Sequence, residues 1–134
     1  MPAQALPATT FDRKRLSGPA LRTFFRIAKL WRLSVEEQMT LLGLTARSTF
    51  FKWKKDPDAV LPKDTLERIS YILGIYKALQ LLLPDETAAD EWGERPNAAP
   101  LFGGRSALDR MLSGQVADLF VVRQYLDAQR GGRA

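Results

Sequence analysis

The apolar residues of this chain recur at helical spacing along most of its length. Positions three and four residues apart fall on one face of an α-helix, and such a face is normally buried. In the segment SGPALRTFFRIAKLWR the apolar stripe consists of Leu21, Phe24, Ala28 and Trp31. Pro19 stands near the start of this segment, where a first helical turn accepts a proline. No segment alternates apolar and polar residues over a useful length, so the pattern predicts an all-α fold.

Two short helices are predicted next, and residues at their ends indicate where each begins and stops. Ser34 and Glu37 have the spacing of a capping box, which starts a helix. Gly43 suits the left-handed conformation that ends one. The segment TARSTFFKWKK is predicted to form the second of these helices, with Thr45 as its N-cap. The apolar residues expected to face inward there are Leu44, Phe50 and Trp53.

The second half of the chain is predicted to hold one long helix and two later ones. The segment DPDAVLP breaks the pattern, and the long helix runs from Thr65 to Leu83, where Pro84 ends it. Gly74 inside it is interpreted as a point of close approach, because glycine costs a helix roughly 1 kcal/mol relative to alanine. RPNAAPLFGGRS is predicted to be irregular, whereas ALDRMLSG, capped by Ser106, and QVADLFVVRQYLDAQR are predicted to be helical.

The composition excludes several classes of chemistry. The 134 residues are 46% hydrophobic and 26% charged, as in a globular protein, and include no cysteine and no histidine. Disulfides, thiolate nucleophiles, Ser–His triads and nearly all zinc sites are therefore ruled out. The acidic residues are scattered singly, and no Gly-rich phosphate loop follows a strand-like segment. We expect a protein that is not an enzyme and that holds no metal or cofactor.

The termini and the hydropathy pattern indicate a cytoplasmic protein. No apolar run is long enough to span a membrane, so no membrane partner is expected. In the N-terminal MPAQALPATTFDRKR the basic cluster follows the weakly apolar part, which is the reverse of the order in a secretory signal. Residues 1–17 are predicted to form a flexible arm rich in proline and alanine.

Charge is distributed unevenly between the two halves of the chain. Residues 1–55 hold 11 Lys and Arg against 3 Asp and Glu, a net charge of +8. Residues 56–134 hold 9 against 12, a net charge of −3. This asymmetry predicts a first half that faces a polyanion and a second half with a different partner.

Two short helices joined by a Gly-containing turn, the second of them basic, have the pattern of a helix-turn-helix unit. The second helix of such a unit packs apolar side chains inward and projects hydrogen-bond donors into the major groove. The residues predicted to contact DNA are Thr45, Arg47, Ser48, Thr49, Lys52, Lys54 and Lys55. The alternative is a solvated basic face above an aromatic core stripe. The Ser34 cap, the Gly43 turn and the charge of the first half together favour DNA binding.

Two departures from the usual helix-turn-helix spacing indicate a lengthened turn. A small residue usually stands four residues before the turn glycine, and this chain has Met39 there. The apolar anchor after the turn, Phe50, falls one residue late. The identity of the base-reading residues is left open by this shift.

Three segments together resemble one protein family. They are LLGLTARSTFFKWKKDPDAVLPKDTLERISYILGIYKAL, WGERPNAAPLFGGRSALDRMLSG and the terminal VRQYLDAQRGG. The resemblance is to the Xre/MbcA/ParS antitoxins and covers roughly residues 20–132. Its most specific part is the loop-then-helix motif that begins with Trp92.

The resemblance implies both an architecture and a set of partners. It implies an Xre-like helix-turn-helix region at residues 18–83, followed by a small helical toxin-binding domain at residues 84–134. Members of the family neutralise a toxin encoded beside them, typically a RES-domain protein that consumes NAD⁺, and they bind their own promoter. The implied partners are a cognate RES-domain toxin and operator DNA. The expected assembly is a homodimer or a larger hetero-oligomer with the toxin.

The residues expected to bind the toxin lie in the loop motif and in the terminal helix. They are Trp92, Leu101, Phe102, Arg105, Arg123, Tyr125, Arg130 and Arg133. Trp92 and Phe102 have an alternative role as core residues, whereas Arg105 stands beside a Gly-Gly turn and has little to pack against. The polar residues of the terminal segment offer donors suited to an active site built for an anionic dinucleotide.

Two hypotheses for the whole chain follow. The first is an antitoxin of a type II toxin–antitoxin system that neutralises its toxin and represses its own operon. The alternative is a stand-alone helix-turn-helix repressor whose C-terminal half only dimerises or senses a ligand. A toxin gene beside this one is required by the first hypothesis and not by the second.

Overall fold

The structure of this chain is a computed structural model that describes residues 10–56 and 58–131. Its helices in these ranges are α1 (Thr10–Leu30), α2 (Val35–Leu42), α3 (Arg47–Lys55), α4 (Lys63–Leu82), α5 (Glu86–Glu91), α6 (Ala107–Met111) and α7 (Val116–Gly131). A 3₁₀ turn, Trp92–Glu94, follows α5. The described ranges contain no β-strand, and Pro96 and Ser106 form an isolated bridge. The all-α fold is confirmed.

The long helix α4 lies at the centre and packs against α1, α2, α5 and α7. Its buried residues include Leu66, Ile69, Ile72, Ile75 and Leu79, each at most 6% exposed. Full burial of one such side chain stabilises a fold by roughly 1.5–3 kcal/mol. They belong to a single hydrophobic core that also contains Phe24 from α1 and Leu119, Val122 and Leu126 from α7.

Helix α1 is longer than the sequence pattern predicts. It begins at Thr10, so residues 10–17, predicted to belong to a flexible arm, are helical instead; residues 1–9 lie outside the described residues. Asp12 in the first turn complements the positive end of the helix dipole. The buried Ser17 hydroxyl accepts a hydrogen bond of 2.9 Å from the backbone N–H of Leu61. This long-range contact holds the early part of α1 against the loop before α4.

The proline of α1 is therefore in the helix interior. Pro19 lies nine residues after Thr10, whereas the sequence analysis expected it near the first turn. It has no N–H to donate to the carbonyl of residue 15, so the helix continues with one hydrogen bond fewer. The stripe of Leu21, Phe24 and Trp31 is buried as predicted.

The C-terminal end of α1 turns at a residue that is rarely found in this conformation. Arg32 has a φ of +55°, in the left-handed region where glycine is usual. The Leu33 N–H donates to the Ala28 carbonyl at 2.9 Å, and the Arg32 N–H donates to the Lys29 carbonyl at 3.1 Å. This is the hydrogen-bond pattern of a Schellman motif. The Arg32 guanidinium reaches Glu91 of α5 at 3.3 Å.

The predicted turn between α2 and α3 is present. Ser34 and Glu37 form the capping box, and Gly43 ends α2 with a φ of +78°. The positive φ favours glycine here, and a Cβ at Gly43 would also lie 2.7 Å from Arg68 Nε, so that side chain would have to move. The connection has four residues, 43–46, at the long end for such a turn.

The predicted N-cap of α3 is wrong by one residue. Ala46 occupies the N-cap position of α3, and Thr45 precedes it. Alanine has no side-chain acceptor, so no side-chain hydrogen bond caps this helix. Phe50 is buried as expected, whereas Leu44 and Trp53 are half-buried.

The close approach predicted at Gly74 is confirmed. A Cβ at this position would collide with the guanidinium group of Arg123 from α7. Arg123 also donates to the Ser70 carbonyl at 3.4 Å. The missing side chain at Gly74 thus makes room for an arginine from α7 against the surface of α4.

None of the helices in the described part of the chain is long and apolar enough to cross a membrane.

The conformation of Arg32 generates a stability prediction. Replacement by glycine and by alanine both remove the exposed ion pair with Glu91, so that loss is the same in the two variants. Only alanine keeps the left-handed strain. We therefore expect the free energy of unfolding, measured in urea, to be about 0.5–1 kcal/mol higher for Arg32→Gly than for Arg32→Ala. Equal free energies of unfolding would show that this turn is not strained.

Candidate functional sites

The face of α3 opposite Phe50 is polar and open to solvent. Phe50 is fully buried, and its ring meets the Phe25 ring of α1 edge-on with 5.8 Å between centroids. Ser48, Lys52 and Lys55 are spaced by four and three residues, lie on the opposite side of the helix and are all exposed. We call these three residues the outward stripe of α3. Neither lysine forms an ion pair or a side-chain hydrogen bond within the described residues. This face has the polar donors that a major groove requires.

The other residues predicted to contact DNA lie at the edges of this face. Thr45 is exposed before the helix begins, and Thr49 is half-buried. Arg47 forms an ion pair with Glu36 of α2, and its guanidinium carbon lies 5.5 Å from the centre of the Phe51 ring. These residues and the outward stripe share one end of the molecule.

Lys54 is turned toward α1. Its ammonium group lies 5.2 Å from the centre of the Phe25 ring and 5.7 Å from that of Phe50. Both distances are within the range of cation–π interactions. Lys54 therefore lies at the junction of α3 and α1, on the side of α3 that carries Phe50.

The loop between the 3₁₀ turn and α6 is held by its own backbone hydrogen bonds. The Asn97 N–H donates to the Arg105 carbonyl at 2.9 Å, and the Gly104 N–H donates to the Asn97 carbonyl at 2.9 Å. Asn97 Oδ1 accepts from the Ala99 N–H at 2.9 Å. Gly103 and Gly104 both have positive φ angles, and nothing lies within 4 Å of a Cβ built on either of them. The Gly-Gly turn is thus a structured edge with open space around it.

Three aromatic residues from different elements meet beneath this loop. Phe102 is 5% exposed and lies edge-on to Trp92 at 5.9 Å and to Tyr125 at 5.3 Å between ring centroids. Edge-on aromatic pairs add roughly 0.5–1.5 kcal/mol beyond the burial of their area. The three residues therefore join the 3₁₀ turn, the loop and α7. The alternative role of Trp92 and Phe102 as packing residues agrees with this placement.

An ion pair below the loop fixes α6 to α7. Arg110 Nε donates to Asp118 Oδ1 at 2.9 Å, and Arg110 also donates to the Leu101 carbonyl at 3.0 Å. The Ser113 hydroxyl donates to the other Asp118 oxygen at 2.6 Å. Hydrogen bonds from Ser113 and Arg110 lower the pKa of Asp118 below its ordinary value of 3.8. Asp118 thereby holds the arginine that anchors the loop.

The remaining residues predicted to bind the toxin fall on two faces. Arg105 is exposed on the Gly-Gly loop. Arg123 lies against α4, and its Nε is 3.5 Å from Asp127; Arg130 reaches the same carboxylate at 3.6 Å. Tyr125 faces the loop instead. Leu101 is half-buried in that loop, and Arg133 lies outside the described residues.

The sequence analysis missed the residues that support these surfaces. Arg110 and Asp118 were not assigned a role, although their opposite charges stand eight residues apart across a short turn. Glu91, which reaches both Arg32 and Arg95, was also missed. No local pattern predicts a contact between Arg32 and Glu91, because 59 positions separate them.

The lowered pKa of Asp118 generates a prediction about pH. A carboxylate whose pKa is lower in the folded state stabilises the fold above its ordinary pKa, and this contribution is lost as the pH falls through the folded value. We expect Asp118→Asn to lower the free energy of unfolding by about 1 kcal/mol at pH 7. The deficit should shrink below about pH 4.

Chemical denaturation at several pH values measures this effect. Asp58→Asn is the matched control, since Asp58 is exposed and its side chain has no hydrogen bond or ion pair among the described residues. A deficit for Asp118→Asn that does not change with pH would contradict the assigned role of its charge.

Two protein-family models match this chain, one after the other along the sequence. A family model described as the antitoxin Xre-like helix-turn-helix domain matches residues 10–74. A second, described as the antitoxin Xre/MbcA/ParS C-terminal toxin-binding domain, matches residues 78–132. The chain is 59% identical over 112 residues to a protein of Sinorhizobium fredii (strain NBRC 101917 / NGR234) named "Uncharacterized protein y4oB". The match covers 84% of each chain.

No solved structure matches the chain significantly. The two family models lie in sequence order and together cover nearly all the described residues. Their order also agrees with the position of the basic helix α3 in the first match. The second match contains the 3₁₀ turn and the loop up to Arg105, residues 92–105, which we call the loop module. The chain belongs to the Xre/MbcA/ParS family of antitoxins.

Proposed function

We propose that this antitoxin neutralises a RES-domain toxin that degrades NAD⁺ and represses its own operon by binding operator DNA. The observation that carries the proposal is the presence of a helix-turn-helix domain and a toxin-binding domain in one chain, in that order. The identity of the toxin rests on the resemblance to the Xre/MbcA/ParS antitoxins, whose partners are typically RES-domain proteins.

The loop module supports the toxin-binding half of the proposal. Arg105 is exposed beside Gly103 and Gly104, where the surroundings leave room for another protein. An enzyme that consumes NAD⁺ has to bind the two phosphates of that molecule. Arginine is the side chain best suited to bidentate contact with phosphates, or with carboxylate side chains of the toxin near them. We propose Arg105 as a direct contact and Trp92, Phe102 and Tyr125 as residues that hold its loop.

The outward stripe of α3 supports the DNA-binding half. Ser48 and Lys52 are exposed on a helix that is anchored by Phe50, which is the arrangement that lets a recognition helix enter the major groove. One such helix reads one half-site, and operators commonly hold two. We therefore propose that two copies bind together, either as a homodimer or joined through the toxin.

Co-expression with the neighbouring reading frame tests the proposal as a whole. We expect the two proteins to co-purify, cellular NAD⁺ to be preserved, and NAD⁺ to fall when the antitoxin is omitted. A complex with no effect on NAD⁺ would keep the antitoxin role and reject the toxin chemistry. The absence of any complex would favour a stand-alone repressor.

The assignment of Arg105 gives a sharper prediction. We expect Arg105→Ala to weaken toxin binding by roughly tenfold to a hundredfold, which corresponds to about 1.4–2.8 kcal/mol. The variant should unfold at the same temperature as the wild type, because the side chain is exposed. Surface plasmon resonance against the immobilised toxin provides the measurement.

Arg95→Ala is the matched control for this variant. Arg95 is also exposed and also precedes α6, but its guanidinium is already held by Glu91 at 2.6 Å. Toxin affinity should stay within about twofold of the wild type. Equal losses for the two variants would show that Arg105 makes no specific contact.

A further inference from the structure

A cleft between α1 and α3 collects cationic side chains that the helix-turn-helix pattern does not include. Arg22, Lys29 and Arg32 line its α1 side, and Lys54 and Lys55 line its α3 side. It consists of two adjoining recesses of about 160 and 520 Å³. Phe25 and Lys54 line both recesses, so the two adjoin at these side chains.

The positive charge of this cleft is poorly compensated. Among the residues that the structure describes, Asp56 is the one acidic residue that lines either recess. Arg32 is paired outside the groove with Glu91, and its side chain is still 71% exposed. Arg22, Lys29, Lys54 and Lys55 have no ion pair within the described ranges of the chain. Charges of one sign along a single groove raise the local concentration of anions.

The cleft is fixed in position and is continuous with the outward face of α3. The stack of Lys54 on Phe25 and Phe50 places its ammonium at the boundary between the two recesses. Lys55 lines the cleft and also belongs to the outward stripe of Ser48 and Lys52. A ligand that lies along α3 therefore passes directly into the cleft.

We propose that this cleft binds the sugar–phosphate backbone of DNA alongside the groove that α3 enters. The inference rests on the proposed DNA binding and adds a second contact surface on α1. Its contacts are with phosphates and are independent of base sequence. A row of exposed cations fits a regularly spaced polyanion better than a folded protein, whose interfaces are depleted of charge at their centre.

The test uses a variant that removes two cleft charges without touching α3. Arg22→Gln/Lys29→Gln changes exposed side chains on α1. Lys63→Gln/Lys77→Gln is the matched control, because both lysines are exposed, have no ion pair among the described residues and do not line the cleft. Circular dichroism confirms that both keep the helical content of the wild type. Fluorescence anisotropy then measures the affinity for two duplexes of equal length at several salt concentrations. One duplex is the DNA directly upstream of the gene, and the other has a random sequence.

We expect the cleft variant to lose roughly tenfold in affinity for both duplexes at low salt. The slope of log K against log salt should fall by about 2, since each phosphate contact contributes about 0.9. The preference for the upstream duplex over the random one should not change. The control should keep both the affinity and the slope of the wild type. The measurements are made on the full chain and on its complex with the neighbouring gene product.

Further outcomes separate failure of the cleft from failure of DNA binding. Ser48→Ala/Lys52→Ala should reduce the preference for the upstream duplex, because these residues belong to the outward stripe of α3. Suppose that Ser48→Ala/Lys52→Ala reduces this preference while the cleft variant has the same affinity and salt slope as its control. The assignment of α3 as the recognition helix is then supported, and the cleft proposal is wrong. Wild-type protein that binds neither duplex, alone or in the complex, would refute both. A cleft variant that loses the toxin and keeps DNA would show that the cleft is a protein interface.

Discussion

Burial of α4 is the constraint on which the rest of the molecule depends. One part of its surface is covered by α1 and α2, and another by α5 and α7. Ile69, Ile72 and Ile75, each at most 1% exposed, follow one another at helical spacing, so this stripe of α4 is buried over nearly two turns. The short helices α2, α3, α5 and α6, of five to nine residues, would be marginal in isolation and depend on packing against longer elements. The helix-turn-helix unit and the loop module thus derive their stability from the same element.

Polar contacts fix the angle at which these helices meet. Arg68 holds Asp64 beside the turn after α2 and donates to the Gly114 carbonyl before α7 at 3.1 Å. The Arg32–Glu91 pair joins the end of α1 to α5. The Arg32–Glu91 pair is largely exposed on the arginine side and contributes little free energy, about 0–1 kcal/mol. The effect of these contacts is on geometry, since they connect the helix-turn-helix unit with the loop module at two separate points.

Local features of the fold were predictable from the sequence, and long-range ones were not. The Ser34 capping box and the Gly43 turn depend on residues within four positions of one another, and both were predicted correctly. The start of α1 was missed, and the hydrogen bond that ties this part of the helix to the loop before α4 joins Ser17 and Leu61, which are 44 positions apart. For the candidate sites, the basic and aromatic residue types could be read from the sequence. Their partners could not, because the packing of Lys54 on Phe25 brings together two separate helices.

The boundary between the two matched family models has a consequence for how such proteins can be recombined. It falls between residues 74 and 78, inside α4 rather than in a loop. A chimaera that joins another DNA-binding domain to this C-terminal module at that point would replace half of a continuous helix and half of the surface on which α7 packs. The graft point that preserves the module lies before Lys63, where the chain is extended. The C-terminal domain of this chain is therefore portable only as a unit that carries the whole of α4 with it.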